Sequence, residues 1–431
     1  MTLNDGFERT ISDWLDEQAG HGMPGYLDET LARTTRTRQR PAWLSLERWL
    51  PVDLSARRSM FALSNSMRPL ALLLLVAMLI AVVVALAAGS RKPLPTPFGP
   101  ARNGDLVTSR DGDIYLIDRT TSQSRAIAAL DGFDFSPIFS RDGTKLVFLR
   151  SDGPLTDPAI LTLIVANADG TGIRPLTPPT KALDWFDWSP DGTRIAYMAT
   201  GSLYVVDVAG GEPKLLPGTG KVHFPTWLPP DGKEIVYRLE SASPAIYAIA
   251  PDGIGKRRQL STTPGNNEFD YQGIALSPDG ADITFSRWSE NVEDVGVAGW
   301  LPRLYALDVK TGSEMLFPTA NGTGSRGTAV YSPDGKLVAY ARIHREGAFQ
   351  LVVGNADGSG NERPIGPRKP GPRDGSDVNA SWTFTPDGAA LLVRYGTDDA
   401  GVSHLLPLDG SPGTDLGSGG FEFVDMQRVA P

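Results

Sequence analysis

The chain has 431 residues, with 41 Lys and Arg against 50 Asp and Glu for a net charge of −9, and it contains no cysteine. An acidic total argues against a broad basic surface for nucleic acid. The absence of cysteine excludes zinc–thiolate sites and cysteine nucleophiles, and the four histidines, at 21, 223, 344 and 404, share no metal-ligand spacing.

Residues 1–68 read as a short helical and basic tail. Phe7, Ile11, Trp14 and Leu15 fall at helical spacing behind Asn4 or Asp5 as a cap, and Leu27 and Leu31 repeat the spacing. So few apolar residues cannot bury much core, so order here is expected only against a cytoplasmic protein partner or the membrane. Eight arginines lie from Arg33 to Arg68 against only Glu47 and Asp53, and Trp43, Leu46, Trp49 and Leu50 mix with them as in an interfacial helix.

Leu70 to Ala88 is a run of nineteen residues with no charged or strongly polar side chain, which as a helix spans about 28 Å. It is read as one retained membrane span over residues 69–89, and not as a cleaved signal, because sixty-nine residues precede it. Arg57, Arg58 and Arg68 before it outweigh Arg91 and Lys92 after it, which places the N-terminus in the cytoplasm and the rest outside the plasma membrane. Pro93, Pro95, Pro97 and Pro100 make residues 90–102 a stiff spacer.

From residue 103 onward one tetrapeptide recurs: Ser-Arg-Asp-Gly at 140, Ser-Pro-Asp-Gly at 189, 277 and 332, Pro-Pro-Asp-Gly at 229 and Thr-Pro-Asp-Gly at 385. Its turn residues are Asp142-Gly143, Asp191-Gly192, Asp231-Gly232, Asp279-Gly280, Asp334-Gly335 and Asp387-Gly388, and steps of 40 to 55 residues between them mark a repeat architecture. Each turn joins two β-type runs, such as Phe186-Asp-Trp188 and Arg194-Ile-Ala-Tyr197. A third run (Leu203-Tyr-Val-Val-Asp207) and a fourth (Lys214-Leu-Leu216) complete a four-stranded antiparallel meander, which is a propeller blade. Asp105 to Asp118 supplies later strands of a blade with no first strand, and Phe421-Glu-Phe-Val424 is a strand with no later partners. Joined, they make a seventh blade and close the ring. The expected fold is therefore all-β: a seven-bladed propeller of four-stranded blades over residues 103–431, preceded by the helical tail and one transmembrane helix.

This recurrence of Ser-Pro-Asp-Gly, Ile-Ala-Tyr and Tyr-Val-Val-Asp through residues 103 to 429 resembles the WD-repeat-like propeller of the TolB type, also seen in the non-catalytic propellers of prolyl oligopeptidases. The resemblance implies a fold and no reaction. The layout of tail, span and outer domain resembles membrane-bound anti-sigma factors, although their zinc motif is absent.

No Gly-x-Ser-x-Gly elbow is present. Asn167 to Gly172 and Asn355 to Gly360 lack the ordered acids of a calcium loop and read as turns, so neither metal nor cofactor is expected. His223 and His404 read as structural. In a meander the first-to-second and third-to-fourth turns share one face, and the remaining connections share the other. All the tight turns are assigned to the first face and all the long connections to the second, which is the expected binding face. Its candidate residues are Trp288, Trp300, Arg342, His344, Arg345, Arg368 and Arg373, since aromatics and Arg dominate interfaces. The expected function is binding or sensing of an extracytoplasmic protein, peptide or glycan, with signalling to the tail. The alternative is a hydrolase or lyase, which should gather several acids, His or Tyr at the channel mouth on first-strand ends.

Overall fold

The computed structural model describes Leu73, residues 76–78 and residues 96–430, apart from 129–131, 152, 154–158, 242–243, 262–271, 291–299, 318–324, 345–347, 371–379, 397–400 and 419–423. The chain divides into two compact units, Met1–Arg91 and Lys92–Pro431. The tail and most of Leu70–Ala88 lie outside the described residues. Among the described residues no helix is long and apolar enough to cross a membrane.

The second unit is a propeller of seven antiparallel sheets. Blade 1 is the composite, in the order Asp425–Val429, Arg102–Arg110, Asp113–Ile117, Ser124–Ala128. Blades 2 to 7 then follow as sequential meanders opening on Phe133–Phe139, Leu183–Trp188, Val222–Trp227, Gln272–Leu276, Ser325–Tyr331 and Ala380–Phe384. Blade 2 carries one additional short strand, Thr180–Lys181, on its third.

The closing strand is Asp425–Val429; of the expected strand, Phe421–Phe423 lie outside the described residues and Val424 precedes the pairing. Met426 pairs with Leu106 and Arg102 with Val429. An innermost strand turns one side to the channel and needs few apolar residues. Met426 alone supplies the buried contact, against Leu106 and Leu392.

Seven separate apolar clusters hold the ring, one at each junction between neighbouring blades. A middle strand therefore has protein on both faces and reads as a continuous apolar run: Arg194–Ala199 is buried at every position after the first. Trp188 and Trp227 are each at most 2% exposed, in the junctions of blades 2 with 3 and 3 with 4. Among the described residues the closing junction has the fewest buried apolar side chains.

The repeated tetrapeptide is a hydrogen-bonded device. Ser189 Oγ donates to Asp191 Oδ1 at 2.6 Å and accepts Arg194 N–H at 2.9 Å, while Asp191 Oδ1 also accepts Thr193 N–H at 3.1 Å. Ser140, Ser277, Ser332 and Thr385 make the same pair of bonds. Each of these hydroxyl residues is at most 5% exposed, so the first position is a buried polar group satisfied inside its own turn. Gly143 has φ +68°, and a Cβ there would lie 2.1 Å from the Arg428 carbonyl oxygen on the closing strand, so that turn demands glycine sterically as well as conformationally.

Candidate functional site: the two mouths of the channel

First strands line the central channel, and their ends form its two mouths. At the mouth bearing the repeated turns a cavity of about 300 Å³ is lined by residues including Phe98, Arg141, Trp227, Tyr331, Asp425 and Arg428. The chain enters the propeller here. Arg428 donates to the carbonyl oxygens of Thr96 at 3.0 Å and Gly99 at 2.6 Å, and the Arg141 guanidinium lies 5.3 Å from the Phe98 ring.

The charged groups of this mouth are engaged in architecture. Asp425 accepts Phe139 N–H of blade 2 at 2.7 Å, and Asp187 accepts Trp227 N–H of blade 4 at 3.1 Å together with the Thr226 hydroxyl at 2.8 Å. Both are first-strand carboxylates that tie one blade to the next. Burial pushes the Asp425 carboxyl above the usual carboxylate range and the Tyr331 phenol well above its ordinary value. Burial, with Arg141 close by, lowers Arg428 to about 10. Among the described residues lining this cavity there is one acid, one tyrosine and no histidine. Nor, among the described residues, do three or more His, Asp or Glu come together as a metal site would need.

The opposite face is less uniform than its sequence implied. Blades 1 and 3 join their second and third strands there by tight two-residue turns, Asp111-Gly112 and Thr200-Gly201, with all four residues at positive φ as such hairpins require. Tight turns therefore occur on both faces. In blade 5 the expected connection from Arg287 to Pro302 is strand at both ends: Trp288 pairs with Pro302 and Glu290 with Trp300, and 291–299 lie outside the described residues. Arg342 is taken up inside blade 6, where its guanidinium pairs with Glu362. Arg287 is held likewise by Glu314 at 2.8 Å in blade 5, and Arg150 by Asp134 at 2.6 Å in blade 2. His344 is half-buried, with its backbone N–H on the Ala348 carbonyl at 2.7 Å. Arg368 is exposed on the outermost strand of blade 6, two strands away from Arg342. Arg345 and Arg373 lie outside the described residues. The turns at Asp169 and Asp357 connect third and fourth strands, and each carboxylate accepts a hydrogen bond from within its own turn.

A different group stands on this face. Trp185 and Phe224 occupy the same bulged position on the innermost strands of blades 3 and 4, with φ +37° and +54°. Their rings meet edge to face at 4.6 Å, and Trp185 remains 47% exposed. Left-handed backbone at a bulky aromatic is strained, and such strain concentrates at functional positions. Beside the pair stand Asp184, whose Oδ1 accepts Trp185 N–H at 2.8 Å, and His223, whose Nε2 lies 2.8 Å from Glu240. His223 holds the Glu240 carboxyl below its ordinary range, while surrounding protein raises Asp184. The overlooked signal was Trp185 directly before Phe186: adjacent strand residues face opposite ways, so both cannot enter one core.

No known family model matches the chain. An uncharacterized protein of Agrobacterium fabrum is 29% identical over 185 residues, 41% of this chain and 56% of that protein. Dipeptidyl-peptidase 5 of Porphyromonas endodontalis is 25% identical over 246 residues, 54% of this chain and 32% of the peptidase. The aligned regions thus span about half of the first relative and a third of the second. Among solved structures, an oligogalacturonate lyase in complex with manganese superposes with a TM-score of 0.52 at 16% identity, over 69% of this chain and 82% of the lyase. TolB from Acinetobacter baumannii gives 0.49 at 16% identity, over 77% and 81%. At such identity the likeness to the lyase shows a shared propeller fold and nothing of its reaction.

Proposed function

We propose that this chain is a membrane-anchored propeller that binds an extracytoplasmic protein, peptide or glycan on the face opposite its repeated turns and signals to residues 1–68. The observation that carries the reading is the backbone-strained pair of exposed Trp185 and half-buried Phe224 on the innermost strands of that face. Strain at two bulky residues persists only where the surrounding structure enforces it, and neither aromatic gains full burial in return. The other mouth is lined in part by the chain's own Pro97–Gly99 segment, and the carbonyls of Thr96 and Gly99 hold Arg428. The anchor and its orientation rest on Leu70–Ala88 and on the arginines before it.

The test places a photo-crosslinking residue at Thr200, on the proposed face, or at Glu212, on the opposite face of the same blade, in the full-length chain in its own cells. A partner band from position 200 and none from 212 is expected. The reverse pattern would move the site to the repeated-turn face, and no band from either would refute a stable partner.

A further inference from the structure

The aromatic corner carries a charge character that narrows what it recognises, an inference that rests on the binding role just described. Trp185 presents the ring type most favourable to a cation, and the T-shaped contact with Phe224 makes a two-walled corner. Asp184 adjoins Trp185 in sequence and shares its blade edge. Among the described residues no Lys or Arg forms an ion pair with the Asp184 carboxylate. The neighbouring charges on blade 4 are internally matched, because Glu240 is shared between His223 Nε2 at 2.8 Å and Lys221 Nζ at 3.5 Å. Blade 5 has Gly273 at its own left-handed bulge position, with φ +59°, so this position carries no side chain in that blade. The two-residue turn at Thr200-Gly201 keeps the rim of blade 3 low.

An aromatic corner beside a carboxylate whose one charged neighbour is His223, with no Lys or Arg pairing it among the described residues, suits a long side chain ending in a positive charge that comes in over a low rim. The field around it agrees in sign: residues 1–68 hold nine Arg and nine acids, so the net charge of −9 belongs wholly to residues 69–431. The geometry points to a recognition pocket for a lysine or arginine side chain of a partner polypeptide, with the cation over Trp185, Phe224 as second wall and Asp184 as counter-ion. Acidic ligands are disfavoured here for the same reason.

The test uses the purified full-length chain in detergent and two probes, acetyl-trilysine amide and the same peptide acetylated at all three Nζ atoms. Binding is followed by isothermal titration at low and moderate salt. Trilysine should bind, and the acetylated peptide, equal in length but uncharged, should not. Trp185→Leu keeps apolar bulk but removes the ring quadrupole, and Asp184→Asn removes the counter-ion. Each should weaken trilysine roughly fivefold to thirtyfold. Glu212→Gln, on the other face of blade 3, controls for diffuse attraction to an acidic protein and should leave binding unchanged. A melting curve for each variant separates misfolding from loss of the pocket, and Asp184→Asn serves if the Trp185 variant does not fold. Equal binding of the acetylated peptide, no loss in either pocket variant, or an equal loss in Glu212→Gln would overturn the assignment. If Trp185→Leu still crosslinks its partner from position 200, the cation pocket falls while the binding face stands.

Discussion

Asp187 ties three blades together, and replacing it separates the hydrogen-bonding role from the ionic one. Asp187 Oδ2 accepts both Trp227 N–H at 3.1 Å and the Thr226 hydroxyl at 2.8 Å, while Oδ1 lies 3.4 Å from Arg141 of blade 2. In Asp187→Ala the Trp227 amide, beneath a side chain only 2% exposed, loses its carboxylate acceptor. A stranded buried donor plus a lost charge-assisted bond costs about 2–4 kcal/mol. For a domain of this size that is a fall in melting temperature of roughly 4–8 °C. Asp187→Asn can set its amide oxygen where Oδ2 stands and keep both bonds. It gives up only the pair with Arg141, whose side chain is 39% exposed. Such a pair is worth under about 1 kcal/mol, or roughly 2 °C. Differential scanning calorimetry of the two variants decides the matter. Equal destabilisation by Asn and Ala would mean that charge, not the inter-blade hydrogen bonds, holds the junction, and a harmless Ala would refute the tie altogether.

Met426→Ala should cost about 2–5 kcal/mol, and because it empties the most thinly packed junction, amide exchange should accelerate first in Arg102–Arg110. Uniform acceleration around the ring would argue against a weak closure. Trp185→Gly should leave the melting temperature unchanged or raised, since about 1–3 kcal/mol of left-handed strain is released against a ring contact of about 0.5–1.5 kcal/mol. A fall of several degrees would show that the residue is structural. Hydrogen bonds to the turn carboxylates hold Asp191, Asp279 and Asp334 below the usual range. A depressed folded pKa contributes stability above the unfolded value near 3.9 and loses it as pH falls through the folded values, so melting temperature should drop steeply below about pH 4. In Asp334→Asn the slope of that drop should be shallower, and an unchanged slope would remove the turn carboxylates as its cause.

The sequence by itself determined the blade, the repeat and the closure. Ser-Pro-Asp-Gly specifies its turn through bonds within six residues, and apolar runs such as Arg194–Ala199 report strands buried on both faces, so local chemistry suffices. The bounds of the closing strand are not legible in the sequence, because an innermost strand has little apolar signature: Met426 is the one apolar residue of Asp425–Val429 that is buried. The aromatic pair proposed above as the site was not legible in the sequence. Arg342 had the composition of an interface residue, but Glu362, far along the chain, takes its charge into the blade. Trp185 and Phe224 are thirty-nine positions apart in sequence and touch only because neighbouring blades bring equivalent bulges together around the channel. Tertiary structure decided the site because a ring places side chains by blade position and backbone hand, neither of which a period of forty to fifty-five residues records.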